Sequence, residues 1–571
     1  MTGPPAAPLA PRLPRGINPV WQKSARARMR PKHMISWGVV TITVSLFVAL
    51  IIYTTMSERE FTTRTDAAKA VLPAIVVIQA VLLMVFGTGA VAAGVAQERD
   101  EGLLDYQRMT PMSPASKILG YLFGLPVREY ALFALTLPIV AAAVAISGFS
   151  LLTLAHFYAV FFTSVWVYHM TGLVAGMVAP KPRFASMVSI GLVAVLYFVL
   201  PNLSRVGITL FEFLTIRPTF FGLLQQELPE HLRAPAEASG IDSFRDVPLF
   251  AGLVHPTVYT LVVQGFLIAT MFSVAHRKWR NPAAHLFSKT GALVVFAGVV
   301  VFLMGSIWAV IVQEDAYRRV FEPFNEALRL EHRAPETLQL LLSILVVIVG
   351  AAYVAIVTAV SPSRHTTIEG WRRAQKRGRA RLPINSDAAS SLPLALAMLA
   401  IALAAGGLVL VQAGARADYY QHGPSPRSVA VLIAIVVGSS LLVQGMRESL
   451  GMRVFGVSLF LLWMVPFFTM MILLAAFELF AAAMYVGMPC APVPMLLAVA
   501  EMMRSTVPLP GVEAYFLPPE LEPSAGRITT IAAFAFPVTG AVAQAARFRA
   551  RARLRAVAIP LEPNATGQGS S

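Results

Sequence analysis

The chain's 571 residues are 56% hydrophobic and only 13% charged. A soluble domain carries about 25% charged residues, so an ordinary water-soluble protein is excluded. One cysteine, Cys490, excludes an intrachain disulfide and any paired-cysteine metal site.

Residues 1–17 are proline-rich without an apolar run, so a disordered tail is expected and no cleavable signal peptide is visible. Long apolar runs follow. Eighteen or more apolar residues can cross a bilayer, and in hydrocarbon such a run must satisfy its own backbone as a helix. The alternation of a membrane β-barrel is absent. The predicted fold is all-α and polytopic, with about 12 transmembrane helices. They fall roughly at 34–53, 71–95, 124–146, 154–179, 185–203, 254–275, 290–312, 337–360, 391–412, 428–446, 454–474 and 528–546. The stretch 475–500 is apolar, but Glu478 and three prolines favour a re-entrant or interfacial element over a span. Residues 204–226 carry the same ambiguity.

Lysine and arginine set the orientation. With the N-terminus cytoplasmic, 30 of the 46 basic residues fall in inner segments and 15 in outer ones, while 21 of the 30 carboxylates fall outside. Twelve spans with both termini cytoplasmic keep that sign at every inner loop. The net charge of +16 is therefore a topology signal and an attraction to anionic headgroups of the lipid bilayer. Nucleic acid is not expected as a partner.

The layout suggests duplication. Asn18-Pro19 precedes the first span and Asn281-Pro282 the seventh, an offset of 263 residues. The second and eighth spans exit at about Gln97 and Ser361, and the large outer loops carry Phe211-Glu212 and Phe477-Glu478. Parallel repeats are common in transporters. The expected organisation is a tail (1–17), a six-span unit (18–280), a second, divergent six-span unit (281–556) and a cytoplasmic tail (557–571).

The most informative segment is Gln97–Gly120, between the second and third spans. Leu103, Leu104 and Tyr106 are expected to meet membrane or protein, while Glu98, Arg99, Asp100, Glu101 and Asp105 face water. Thr110-Pro111 breaks the segment, and Ser113-Pro114 caps a new helix. Glu98-Arg99, Gly102, Leu103, Asp105, Thr110-Pro111 and Ser113, followed by Lys117, resemble a segment of the permeases of type 2 ATP-binding-cassette (ABC) exporters. That segment has the form E-R-x-x-G-T-L-E-x-L-x-x-T-P-x-S. Leu103 departs from the usual Thr, and Tyr106-Gln107 from an apolar pair. Residues 18–30 look like that family's membrane-surface elbow helix.

The resemblance implies that residues 97–114 contact a separate ABC ATPase subunit and transmit its movement. It also implies a bacterial inner membrane. Cargo stays open, and either this chain alone or a second permease chain completes the path. In the second unit the corresponding loop, Ser361–Arg381, lacks the acidic start and the Thr-Pro turn and holds seven basic residues. It suits a cytoplasmic partner or anionic lipid with Trp371 at the headgroups.

No phosphate loop, HExxH or G-x-S-x-G motif occurs, and the ten histidines lack ligand spacing. No catalytic, cofactor or metal site is expected, and the chain is read as a permease, not an enzyme. Arg128-Glu129, at a span edge, is read as structural. Glu212 and Glu478, at the outer membrane edge, are candidates for a pathway or gate. A secondary transporter with 6+6 helices is the first alternative, although no run of intramembrane acids suits a proton relay. A membrane-embedded enzyme or scaffold is the other.

Overall fold

The computed structural model describes residues 18–59, 62–179, 181–199, 209–224, 227–228, 246–313, 334–414, 425–504 and 522–558. The expected N-terminal tail, all but two residues of the expected C-terminal tail, and parts of both large outer loops lie outside them. Among the described residues the only strands are Val247–Leu249 and Gly252–Val254, paired as a hairpin. Eleven helices are long and apolar enough to cross a membrane. The protein is an all-α, polytopic integral membrane protein. It divides into two compact units that part at Pro282/Ala283, with Thr209, Leu210 and Pro248–Leu253 grouped with the second.

The first unit opens with α1, Pro19–Arg28. Asn18 caps it by accepting the Val20 N–H at 3.0 Å, and Pro19 starts it where no N–H is needed. Then come α2 (Pro31–Ser57) and α3 (Arg64–Asp100). At 37 residues, α3 is about 55 Å long at 1.5 Å per residue, well beyond the hydrocarbon thickness. Thr63 and Asp66 close a capping box at its start, and residues Val81–Gly87 form a π turn. The unit continues with α4 (Leu103–Met109), α5 (Pro114–Gly124), α6 (Val127–Ser147), α7 (Leu151–Val178), α8 (Pro182–Phe198) and α9 (Pro256–Arg280). The predicted span 185–203 falls on α8 as far as residue 199, and its last four residues lie outside the described ones.

Val71, Ile75, Leu83, Phe157, Phe161 and Tyr168 form the main core of this unit. Its two buried glutamines are paired, as a hydrocarbon surround favours. Gln79 donates to Thr136 Oγ1 at 2.8 Å and accepts from Tyr158 at 2.9 Å. Gln264 donates to Ser164 Oγ at 2.8 Å and accepts from Thr163 at 2.6 Å. The π turn leaves the Leu83 carbonyl to His169, whose Nε2 donates to it at 2.9 Å.

The second unit comprises α10 (Lys289–Val312), α11 (Ala334–Val360), α12 (Arg364–Lys376), α13 (Leu392–Gly414), α14 (Pro426–Ser449) and α15 (Met452–Phe477). Two shorter helices follow, α16 (Phe480–Gly487) and α17 (Pro492–Arg504), and then α18 (Glu522–Ala558). The ambiguous stretch 475–500 is resolved into α16 and α17, bent by 119° at their junction. Helices α14 and α18 pack backbone to backbone. A Cβ on Gly438 would stand 2.4 Å from the Phe536 carbonyl carbon, and one on Gly445 2.7 Å from that of Ala543. Small residues of this kind let membrane helices approach closely.

Candidate functional site

The segment after α3 folds as a short helix held between two turns. Gly102, at φ 74°, takes the left-handed conformation that lets the chain leave α3 and start α4 at once. Leu104 is only 2% exposed and anchors α4 in a cluster with Val91, Val95, Ile118, Tyr121 and Trp279. Thr110 ends α4 in an extended conformation (ψ 149°), the one that a following proline imposes. Its hydroxyl donates to the Gln107 carbonyl at 2.7 Å. Ser113 then caps α5, its Oγ accepting the Ser116 N–H at 3.1 Å, with Pro114 in the first position. Lys117 is 2% exposed, and its Nζ donates to the carbonyls of Gln107 (2.6 Å) and Thr110 (3.1 Å). It therefore satisfies the C-terminal carbonyls of α4 from below.

Two residues expected to face water turn inward. The Glu98 side chain is only 14% exposed. It accepts from Lys23 of α1 (2.9 Å), from Gln107 of α4 (3.3 Å) and from the Tyr121 hydroxyl of α5. Burial first, then the facing carboxylate, hold the Tyr121 phenol well above its ordinary pKa, so it stays a donor. Arg99 reaches across to the Gly176 carbonyl of α7 at 3.1 Å and pairs with Asp100. The cause is tertiary: α1 and α5 cover the face of α3 that carries Glu98. Asn18 donates to the Ser116 carbonyl at 2.5 Å. Gly124 gives α1 its close approach, since a Cβ there would stand 2.9 Å from Trp21 Cα.

The outward face consists of Asp100, Glu101, Gly102, Asp105, Tyr106, Met109, Pro111 and Ser113, all exposed. Tyr106 (65%) and Met109 (78%) project from it, amid three carboxylates. Asp105 pairs with Arg108 along α4, and Glu101 accepts from Gln97 at 2.8 Å. The segment thus joins a stiff, internally bonded base to a solvent-facing acidic surface with two adaptable apolar side chains, the residue types that interfaces favour.

Glu212 and Glu478 belong to different units. Glu212 is half-buried after the short turn Thr209–Phe211, and its carbonyl accepts from Thr215 Oγ1 at 3.3 Å. Glu478 is exposed and sits at φ 53°, in the left-handed region, as the C-cap of α15. Its position belongs to the reversal between α15 and α16, where its carbonyl accepts the Phe480 N–H at 3.0 Å. A non-glycine residue held there stores strain. Among the described residues no group of three or more His, Cys, Asp or Glu side chains is placed to hold a metal.

The second unit's loop is differently built. Ser363 caps α12 through the Thr366 N–H at 3.1 Å. Thr367 and Ala374 are buried, and Trp371 lies under the Arg555 guanidinium of α18 at 4.7 Å, a cation–π distance. Below α12 is a buried polar knot that sequence reasoning missed. Glu448 of α14 accepts from the Ser391 N–H (2.5 Å), Ser390 Oγ (2.9 Å), Gln444 (2.9 Å) and Arg551 of α18 (3.2 Å), with Arg547 at 3.9 Å. Lys289 of α10 donates to the carbonyls of Ile384 (2.7 Å) and Ser390 (2.8 Å). The signal was present: Gln444-Glu448 and Gln544-Arg547-Arg551 recur at helical spacing on one face of each helix.

No protein family, curated protein or solved structure matches the chain.

Proposed function

We propose that the protein is the membrane-spanning permease of an ATP-driven, ABC-type exporter whose motor is a separate ATPase chain docking on the Asp100–Ser113 surface. In this reading the surface and both termini are cytoplasmic, and the membrane is the bacterial inner membrane. One observation carries the proposal: an exposed acidic face sits on the end of the long helix α3 and on α4, the short helix that a single glycine turn joins to it, and α4 is tied to α1, α3 and α5. Leu104, Lys117 and the Lys23–Glu98 pair tie α4 to α1, α3 and α5. A push on α4 therefore moves those helices together. ATP shifts such an equilibrium only through contacts that differ between the two states, and a stiff lever carries that difference into the bilayer.

The test is co-purification from detergent with an ATPase subunit, comparing the natural chain with an Asp100→Ala/Glu101→Ala/Asp105→Ala triple variant. These side chains are exposed, so the variant is expected to fold normally and to lose at least tenfold in recovered ATPase. Undiminished recovery would overturn the docking assignment. So would labelling of an Asp105→Cys variant from the extracytoplasmic side.

A further inference from the structure

Inside the second unit, α10, α11, α13, α14 and α17 enclose a partly open cavity of about 180 Å³. Phe296, Leu345, Leu403, Leu432 and Val499 line it, and its walls are almost wholly apolar. The one hydroxyl of a large side chain at its wall is already used, since Tyr353 donates to the Ser440 carbonyl at 3.1 Å. Water needs two to four polar partners to occupy a cavity, and this wall does not provide them.

Three glycines shape the space. A Cβ on Gly350, Gly406 or Gly407 would meet nothing within 4 Å. Helix–helix glycines in the same unit behave oppositely: at Gly438 and Gly445 a Cβ would collide with backbone. The cavity glycines therefore leave room rather than bring helices together. The lining residues Gly407 and Ile433 are exposed, which puts the mouth between α13 and α14. Leu408 and Val411 flank it with exposed apolar side chains inside membrane-spanning helices. The solvent at the mouth is hydrocarbon.

The geometry points to a binding site for the acyl chain of a bilayer phospholipid, entering between α13 and α14. An apolar cavity of roughly 150 Å³ takes up benzene, so this one holds a segment of about six to eight carbons. Left empty, its lining would forfeit dispersion contacts that a neighbouring lipid tail supplies. The assignment is independent of the ATP-coupled reading above, because it needs only the bilayer.

The experiment uses the full chain in nanodiscs containing phosphatidylcholine with a photoreactive diazirine on one acyl chain, and in parallel nanodiscs with a free diazirine fatty acid. Labelled peptides are mapped by mass spectrometry. Phospholipid label concentrated on residues 399–410 and 429–440 is expected. Gly406→Leu, which fills the space, lowers it at least fivefold. Gly456→Leu, at an exposed glycine of α15 with equally open surroundings, leaves it unchanged. Gly350→Leu fills the cavity from the opposite wall and serves if Gly406→Leu does not fold. Label spread evenly over all lipid-facing helices, or cavity label that survives both filling variants, overturns the site. Label from the free fatty acid alone overturns phospholipid as its source.

Discussion

The loops after the second long helix of each unit show opposite charge to solvent. In the first unit, Lys117 is buried and Arg99 is turned inward, while Asp100, Glu101 and Asp105 face out. In the second, a carboxylate, Glu448, is buried, and seven basic residues between Arg364 and Arg381 are exposed. Both bases hold groups of both signs, Glu98 and Lys117 in the first and Glu448, Lys289 and Arg547 in the second, so the difference lies in the face each loop shows. The lesson is that a docking surface is defined by the charges left over after the base is satisfied. An acidic face suits a basic protein partner, and a basic face suits anionic headgroups. The two loops therefore present different surfaces despite their corresponding positions in the chain.

Breaking the bases separates the two constructions most sharply. Glu448→Ala leaves Arg547 and Arg551 without their shared carboxylate, and removing one partner of a buried ion pair costs about 3–5 kcal/mol. Thermal unfolding of the detergent-solubilised protein should show a large drop in midpoint, and an unchanged midpoint would mean that the knot is not structural. Leu104→Ala acts on the first base, where a truncated buried leucine costs about 2–3 kcal/mol at a site near the surface. The expected signature is local: faster hydrogen exchange and proteolysis within 103–109, ahead of global unfolding. The smallest effect is reserved for the exposed basic face. Arg372→Gln/Arg373→Gln should weaken binding of a peptide spanning 361–381 to anionic vesicles by about 1 kcal/mol per charge, with stability changed by less than about 0.5 kcal/mol. Equal binding to neutral vesicles would remove lipid as the partner of that face.

How much of this was legible follows from the range of each interaction. Spans announce themselves because hydropathy is a local sum, and the end of the predicted span 185–203 lies outside the described residues. The turn at Thr110-Pro111 and the Ser113 cap were readable because a proline and a capping hydroxyl act on their immediate neighbours. The break near Glu478 was readable for the same reason. The inward face of Glu98 was not, since Lys23 lies 75 residues away and Tyr121 23, and only the packing of α1 and α5 selects that face. Glu448 was missed because the predicted span stopped at 446, and its partners Ser391 and Arg551 are 57 and 103 positions distant.

The wide turn in α3 has a geometric result of its own. An α-helix advances 100° per residue, and a π turn accommodates one residue more per hydrogen-bonded ring, so the surface pattern slips in phase by that angle across Val81–Gly87. Before the slip, Val71, Ile75 and Val76 point into one cluster; after it, Val91 and Val95 point into another. A single rod thereby serves as a wall for two separate interiors, and the azimuth at which it presents Asp100 to solvent is fixed deep in the bilayer, some twenty ångströms from where a partner would touch it.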